Sequence, residues 1–285
     1  GEIKLNKKKI SVFFEKKVFK LLFLGFSSGL PILLVFSTLS VWLHKAGINR
    51  STVTLFSWAG FAYAFKYLWA PLVDNFKIPF FEKLGHRRSW LLFSQIMILL
   101  SLITTAFTDP ANNIFYTALA ITCLAVFSAT QDIVIDAFRI ESAPQSYQGP
   151  LSSMYIAGYR IAMLVGGAGS LWLASYLGAE IYNQYVWMVV YMSMGCLMFI
   201  GIITTLLSSE PNIKRNNLSK SNQHSRFLLV VLFAILGFIF LYSQIENPLS
   251  SVTVLGKFLF ALLRIILCFI FVSAIYTSIS FAQSS

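Results

Sequence analysis

The sequence predicts an all-α polytopic membrane protein, with a bundle of six transmembrane helices followed by about two more. Its composition supports this class: of 285 residues, 57% are hydrophobic and only 12% are charged. A soluble domain carries about 25% charged residues, so this chain has too little charge to cover a water-soluble surface. Its high hydrophobicity also excludes disorder. The distribution of the apolar residues along the chain also supports a membrane protein, because they fall in long runs.

Eight apolar runs are long enough to cross a membrane, since a spanning helix needs about 20 mostly apolar residues. Their approximate limits are residues 18–43, 52–73, 90–107, 113–140, 151–177, 185–208, 227–245 and 256–282. The loops between them are short, so consecutive helices are expected to run antiparallel. The first run follows a lysine-rich tail, as in a signal peptide, but it is too long and lacks a small-residue cleavage site. We therefore interpret it as a retained helix.

The runs fall into two blocks separated by one polar stretch. Residues 209–226 are rich in Asn and Ser and have the composition of a linker. The predicted organisation is a basic cytoplasmic tail (1–17), a six-helix block (18–208), this cytoplasmic linker, and a two-helix hydrophobic tail (227–285).

The distribution of positive charge predicts the orientation of the helices. Most of the 22 Lys and Arg residues lie in the N-terminal tail and in the loops after the second, fourth and sixth runs. The loops on the opposite side carry only Lys45 and Arg50. Since cytoplasmic loops carry the excess of Lys and Arg, the N-terminus is expected in the cytoplasm. The net charge of +11 is then a topology signal with an attraction to anionic lipid, and it does not indicate a nucleic-acid partner.

The sequence lacks motifs for metal, cofactor or nucleotide chemistry. Cys123, Cys196 and Cys268 each lie inside an apolar run, without the spacing of a metal site or a disulfide framework. There is no P-loop and no HExxH motif in the chain. We therefore predict no cofactor, no metal and no enzymatic activity.

Charged residues inside the apolar runs are the strongest functional signal, because charges inside a bilayer are costly. Asp132 and Asp136 lie on one face of the fourth predicted helix, while Lys66 and Arg160 lie in the second and fifth. With a rise of about 1.5 Å per residue, Asp132, Lys66 and Arg160 each lie about 12–15 Å from the cytoplasmic end. Charges of both signs at one level are expected to face each other or a water-filled cavity.

Two interpretations of this cluster stay open. In the first, Asp132 or Asp136 binds and releases a proton during solute transport. In the second, the charges form a permanent ion-pair network that fixes helix packing. An intramembrane aspartyl enzyme is disfavoured, since the two carboxylates of such enzymes usually come from separate helices. The candidate contacts for a substrate or an ion pair are Lys66, Arg160, Tyr159 and Gln131.

Charges near the cytoplasmic ends of the helices are interpreted as a gate or lock. The loop after the second run, PLVDNFKIPFFEKLGHRRSW, places an Asp at a helix end, then a glycine and paired arginines. Another arginine and a glutamate follow the Asp pair at the end of the fourth run. The residues of this candidate gating loop are Asp74, Gly85, Arg87, Arg88, Arg139 and Glu141.

Glycines form a further constellation in the first and fifth predicted helices. Small residues let membrane helices approach closely, and Pro31 can kink the first helix. Static packing and rocking of helices both need close approach, so both interpretations stay open. The candidate packing glycines are Gly25, Gly29, Gly166, Gly167 and Gly169.

Four sequence blocks resemble the AmpG-type muropeptide permeases of the major facilitator superfamily. They are LGFSSGLPILLVFSTLSVWL, FKYLWAPLVD, SATQDIVIDAF and GYRIAMLVGGAGSLWLA, and they occur in the family's order over about residues 18–211. The loop from Asp74 to Arg88 is similar to the signature loop of the superfamily, with a longer spacing. The related acetyl-CoA transporters share part of this pattern.

The resemblance implies a core of twelve helices in two six-helix halves around a central cavity, with residues 18–208 as the N-terminal half. It implies proton-driven import of anhydromuropeptides for cell-wall recycling, by alternating access, across a Gram-negative inner membrane. The family pattern has an Asp pair in the fourth helix and Gly-Tyr-Arg in the fifth, matched by Asp132, Asp136 and residues 158–160. The alternatives are an acetyl-CoA or other organic-anion carrier, or a non-functional truncated half-permease.

Two departures from the family bear on these expectations. Asn75 stands where the family usually has a basic residue, and residues 227–285 do not resemble the family's seventh helix. The chain is expected either to be truncated or to carry a two-helix insertion. A lone half has no partner to rock against. The expected partners are therefore a missing second half or a second copy of the chain, besides lipid, protons and a muropeptide-like substrate.

Overall fold

The computed structural model describes residues 11–56 and 59–212, and the regular secondary structure of this part is helical. Five of its helices are long and apolar enough to cross a membrane: α1 (Lys16–Lys45), α5 (His86–Phe107), α6 (Ile114–Ser142), α7 (Gln145–Tyr176) and α8 (Gln184–Leu207). Three short helices lie between α1 and α5, namely α2 (Arg50–Phe56), α3 (Gly60–Ala64) and α4 (Ala70–Asn75). Short 3-10 turns cover Val12–Phe14, Lys66–Leu68 and Pro79–Leu84.

The five long helices agree with the first, third, fourth, fifth and sixth predicted runs, which confirms the all-α membrane fold. The second run, 52–73, is divided into short helices and is not the single continuous helix that its length predicts. Phe65 (φ −100°, ψ 9°) and Trp69 (φ −101°, ψ 4°) depart from helical geometry. Pro71 in the first turn of α4 has no N–H with which to continue a preceding helix. The chain from residue 213 onwards, with the last two predicted runs, lies outside the described residues.

Helices α1 and α7 pack closely along much of their length. A Cβ atom on Gly29 would lie 2.5 Å from the Tyr159 carbonyl oxygen, and one on Gly158 would overlap the Leu22 carbonyl. Gly169 differs, since a Cβ there would have no neighbour nearer than 3.7 Å. The other close contacts between the two helices are at Gly25, Gly166 and Gly167.

Both helices of this pair are interrupted. Helix α1 leaves helical geometry at Phe36 (φ −106°, ψ −89°), shortly after Pro31. Helix α7 opens into a wider π-type turn at Val165–Gly169. Proline and π turns are common causes of helix distortion. The Thr38 hydroxyl donates a 2.9 Å hydrogen bond to the Gly166 carbonyl and so connects the two interruptions.

The core consists of two apolar clusters with a polar layer between them. In one cluster Trp42 stacks on Trp187, with ring centroids 5.9 Å apart, and the other contains Trp90 and Phe138. Along α1, α5 and α6, buried polar side chains separate the residues of one cluster from those of the other. This polar layer holds the candidate site.

Candidate functional site

Asp132 of α6 lies at the centre of the polar layer and is 5% exposed. Lys66 lies in the 3-10 turn of the interrupted second run, residues 52–73, which we call the second segment. Its Nζ is 3.7 Å from Asp132 Oδ2. Ser28 of α1 donates a hydrogen bond to Oδ1 of the same carboxylate. Asp132 and Lys66, expected at one level, are thus paired. A buried carboxylate stripped of such partners would be strongly destabilising.

Helix α7 joins the site through two tyrosines. The hydroxyl oxygen of Tyr155 lies 2.9 Å from Ser28 Oγ, and the rings of Tyr155 and Tyr159 are 5.9 Å apart. These contacts depend on Gly29, because a side chain there would push Tyr159 and the rest of α7 away from α1. The site therefore connects α1, the second segment, α6 and α7. Movement of one of these parts against α6 would change the partners of Asp132.

Arg160 lies apart from the Lys66–Asp132 pair, so of the two expected arrangements, facing the other charges or facing a water-filled cavity, only the second stays a prediction for it. Its side chain is exposed and forms no ion pair with another described residue. Successive residues of a helix point about 100° apart, so Tyr159 turns toward the site while Arg160 turns away. Arg160 lies instead on an outer, largely apolar face of α7, which we call the open face. Its exposed apolar side chains include Ile156, Ile161 and Leu164.

Gln131 precedes Asp132 in the chain but lies on a different side of α6. It is completely buried. Its Oε1 accepts a 2.9 Å hydrogen bond from Ser27 Oγ, and its Nε2 donates a 3.0 Å bond to the Ser27 carbonyl. Both ends of the amide are therefore satisfied by α1. In this structure Gln131 joins α1 to α6, and its expected role as a substrate or ion-pair contact stays a prediction.

Asp136 lies one turn further along α6 and has a different environment from Asp132. Its side chain is 38% exposed, and its Oδ1 lies 3.6 Å from Arg139 Nη2. Arg139 also donates a hydrogen bond to Ser152 Oγ of α7. Arg139 therefore pairs within α6 and with α7, apart from the network of the candidate gating loop. Across the described ranges, no group of three or more His, Cys, Asp or Glu side chains is arranged to hold a metal ion.

Arg87 is the centre of a second charge network, at the end of the bundle predicted to be cytoplasmic. It is 5% exposed, and its Nη1 donates a 2.7 Å hydrogen bond to Asp74 Oδ1. Its Nε and Nη2 donate bonds of 3.0 and 2.7 Å to the two carboxylate oxygens of Glu141. Such bidentate, charge-assisted pairs are strong. The network ties α4 to α5 and α6.

Glu210 extends this end of the bundle and was missed by the sequence analysis. Its carboxylate oxygens accept hydrogen bonds of 2.8 and 3.0 Å from the backbone N–H groups of Arg87 and Arg88, at the start of α5. In return, the Arg88 side chain donates bonds of 3.1 and 2.7 Å to carbonyls at the end of α8. Anions favour helix N-termini and cations favour C-termini. An acidic residue directly after a predicted helix is the signal that could have revealed this contact.

Gly85 makes the approach of Glu210 possible. It has a positive φ of 95°, which residues other than glycine rarely adopt. A Cβ at this position would lie 2.5 Å from Glu210 Cγ. The glycine of the candidate gating loop therefore provides both the turn into α5 and the space for the capping carboxylate.

The comparison with protein families decides which fold family this bundle represents. The profile of the Major Facilitator Superfamily matches residues 21–284. The chain belongs to the major facilitator superfamily. It is therefore a multi-pass membrane protein of a transporter superfamily. The match extends over the hydrophobic tail, which departs from the narrower AmpG-type pattern.

Individual relatives confirm the resemblance to AmpG-type permeases. The anhydromuropeptide permease of Escherichia coli (strain K12) is 38% identical over 203 residues, which are 71% of this chain and 39% of the relative. The transporter named AmpG 4 of Rickettsia felis is 35% identical over 208 residues, 73% of this chain and 49% of the relative. The transporter named AmpG 3 of Rickettsia prowazekii is 32% identical over 249 residues, which are 80% of this chain and 56% of the relative. The chain spans about half the length of the curated relatives it matches.

Proposed function

We propose that the chain forms the N-terminal half of a permease that imports anhydromuropeptides across the bacterial inner membrane together with protons. The observation that carries this proposal is the pair between the buried Asp132 and the partly buried Lys66. Lys66 lies in a 3-10 turn between short helices, whereas Asp132 lies in a continuous helix. Such a pair suits a change of partner better than it suits a permanent lock. The name of the E. coli relative supplies the solute class.

Protonation of Asp132 would change the partner of Lys66. A proton added to the carboxylate removes the negative charge that Lys66 faces, and a buried ammonium group without a counter-ion is costly. Lys66 then favours another anion, such as a carboxylate of the solute. Loss of the proton restores the pair with Asp132 and releases the solute carboxylate. Proton binding and solute binding thus favour each other, which is the requirement for symport.

The Arg87 network is the proposed gate at the cytoplasmic end. Asp74 of α4 and Glu141 of α6 both bind the Arg87 guanidinium, so the second segment is held against α5 and α6. Release of solute to the cytoplasm requires this network to loosen. The excess of Lys and Arg at this end, together with the N-terminal tail, supports the cytoplasmic orientation.

The open face of α7 is the proposed contact with the rest of the permease. Residues 209–226 would connect the six-helix half to the hydrophobic tail at 227–285. A second half or a second copy of the chain would cover the open face, with the solute between the two. Arg160 would then meet a solute carboxylate, because it is a cation on a face whose other exposed side chains include Ile156, Ile161 and Leu164.

A carrier for acetyl-CoA or another organic anion is the second candidate. The cations of Lys66 and Arg160 favour it, because both can bind any carboxylate or phosphate. The two candidates differ in the sugar and peptide parts of the solute. Competition between unlabelled solutes therefore separates them.

Uptake of labelled anhydromuropeptide tests the proposal, in right-side-out membrane vesicles from a strain without its own permease. The chain is expressed alone or with the second half of the E. coli relative, and uptake is measured with and without an uncoupler. Uptake should be abolished by the uncoupler, reduced by unlabelled muropeptide, and unaffected by acetyl-CoA. The variant Lys66→Met should lose muropeptide uptake. The control variant Lys83→Met, in an exposed turn, should keep it. No uptake in either arrangement, despite membrane insertion, would contradict the proposal and favour a non-functional half-permease.

A further inference from the structure

Two buried hydroxyl groups in the polar layer have no hydrogen-bond partner among the described residues. They are Tyr63 Oη of α3 and Ser128 Oγ of α6. The two hydroxyls face each other but lack the geometry of a hydrogen bond. Most buried polar side chains in proteins are paired, so each exception calls for an explanation. In comparison, the buried Tyr191 hydroxyl donates a 2.7 Å hydrogen bond to the Leu34 carbonyl.

The two unpaired hydroxyls lie next to Asp132. Ser128 precedes Asp132 by four residues in a continuous helix, so both side chains lie on one face, one turn apart. Tyr63 is close enough to Asp132 for an electrostatic interaction with its carboxylate. The hydroxyl pair lies on the side of Asp132 that is remote from Glu141 and the Arg87 network. The opposite side of Asp132 leads along α6 to Asp136.

We propose that Tyr63 and Ser128 bind a water molecule that delivers the coupling proton to Asp132. This inference rests on the proposed function, because it gives Asp132 a route to the side from which solute would enter. Two hydroxyls and a carboxylate provide the two to four partners that a buried water needs. Tyr63 and Ser128 are positioning residues, since they hold the water and stay neutral. The transfer breaks one O–H bond of the protonated water and forms one on the carboxylate, without movement of electrons between groups.

The surroundings of Asp132 favour this direction of approach. Ser28 binds Oδ1 from α1 and Lys66 approaches Oδ2 from the second segment, so two sides of the carboxylate are occupied. The titratable groups that interact electrostatically with Asp132 are Lys66, Tyr63, Asp136, Tyr155 and Tyr159.

Phe36 packs its ring beside the ring of Tyr63. Its ring centroid lies 6.1 Å from that of Tyr63, and a Cβ on Gly60 would lie 3.1 Å from the Phe36 ring. Phe36 is also the residue at which α1 leaves helical geometry.

Infrared spectroscopy of the purified full chain tests the water site without any solute. The pH is lowered until the Asp132 carboxylate is protonated, its absorption is identified by its loss in Asp132→Asn, and the rate at which its proton exchanges with deuterium is measured. Tyr63→Phe and Ser128→Ala should each slow this exchange by about tenfold or more. The matched controls are Tyr191→Phe and Ser94→Ala, since Ser94 is buried and bonded only within α5; they should exchange as the unmodified chain does.

Unchanged exchange in both Tyr63→Phe and Ser128→Ala would overturn the inference, as would equal slowing in the controls. Two target variants are used so that, if one of them misfolds, the other still tests the inference. Failure of the proposed function is a different result: the unmodified chain would show no muropeptide uptake, while the exchange rates would still depend on Tyr63 and Ser128.

Discussion

Lys66 Nζ and Asp132 Oδ2 lie 3.7 Å apart across two parts of the bundle that differ in regularity. Asp132 lies in an unbroken helix of 29 residues. Lys66 begins a three-residue 3-10 turn, with few helical hydrogen bonds to hold it in place. In this pair Lys66 is therefore the partner that can move, and the following expectations depend on this asymmetry.

The stability of the bundle should depend on the pair as a unit. Asp132→Asn leaves the partly buried Lys66 ammonium without its counter-ion, and the loss should be smaller than the cost of about 3–5 kcal/mol for breaking a fully buried pair. The double variant Lys66→Met with Asp132→Asn removes both charges and should recover most of that loss. Thermal unfolding in detergent measures the two single variants, Asp132→Asn and Lys66→Met, and the double variant. Additive effects of the two substitutions would show that the charges do not act as a pair.

Glu210 should stabilise the junction of α5 and α8. Glu210→Ala removes the acceptor for two N–H groups at the start of α5, and loss of a helix cap costs about 1 kcal/mol. The melting temperature of the purified chain should fall accordingly. Glu180→Ala, in an exposed loop, is the matched control and should leave it unchanged. Equal melting temperatures for the two variants would contradict a capping role for Glu210.

Two glycines of α7 should respond differently to the same substitution. Gly158→Ala places a methyl group against the Leu22 carbonyl of α1, whereas Gly169→Ala places one where no atom lies nearer than 3.7 Å. Gly158→Ala should lower the stability of the bundle. Gly169→Ala should be neutral or stabilising by about 0.5–1 kcal/mol, because alanine restricts the unfolded chain. Similar losses for both would mean that close packing of α1 and α7 is not what Gly158 provides.

The loop before α8 should weaken at alkaline pH. Burial raises the pKa of the Tyr182 hydroxyl, and its 2.5 Å hydrogen bond to Asp109 adds to the rise. The folded state therefore favours the neutral hydroxyl. This stabilisation is complete below the ordinary pKa of about 10 and is lost as the pH rises through the raised pKa. The unfolding temperature of the unmodified chain, compared with Tyr182→Phe, should fall above pH 10, and a difference that is constant with pH would contradict this.

The sequence predicted the depth of a residue along its helix better than the direction in which its side chain points around the helix axis. Lys66 and Asp132 were expected at one depth because the helical rise converts residue number into distance, and they are paired. Arg160 was expected there too, but depth says nothing about rotation around the helix axis, and Arg160 points outward. The break at residues 66–68 was missed because hydropathy does not register backbone geometry. The capping contacts of Glu210 were missed because they join residues that are far apart in the chain.

The most direct test of proton coupling at Asp132 compares two kinds of solute movement in one vesicle preparation. Uphill uptake of labelled anhydromuropeptide needs the proton gradient, whereas exchange of internal for external solute does not. The chain is assayed in the arrangement that transports, with Asp132→Asn beside the unmodified protein and Glu180→Gln as the control. The account predicts that Asp132→Asn abolishes uphill uptake and keeps exchange. Uphill uptake at the unmodified rate in Asp132→Asn would contradict it and leave the Lys66–Asp132 pair as part of the helix packing.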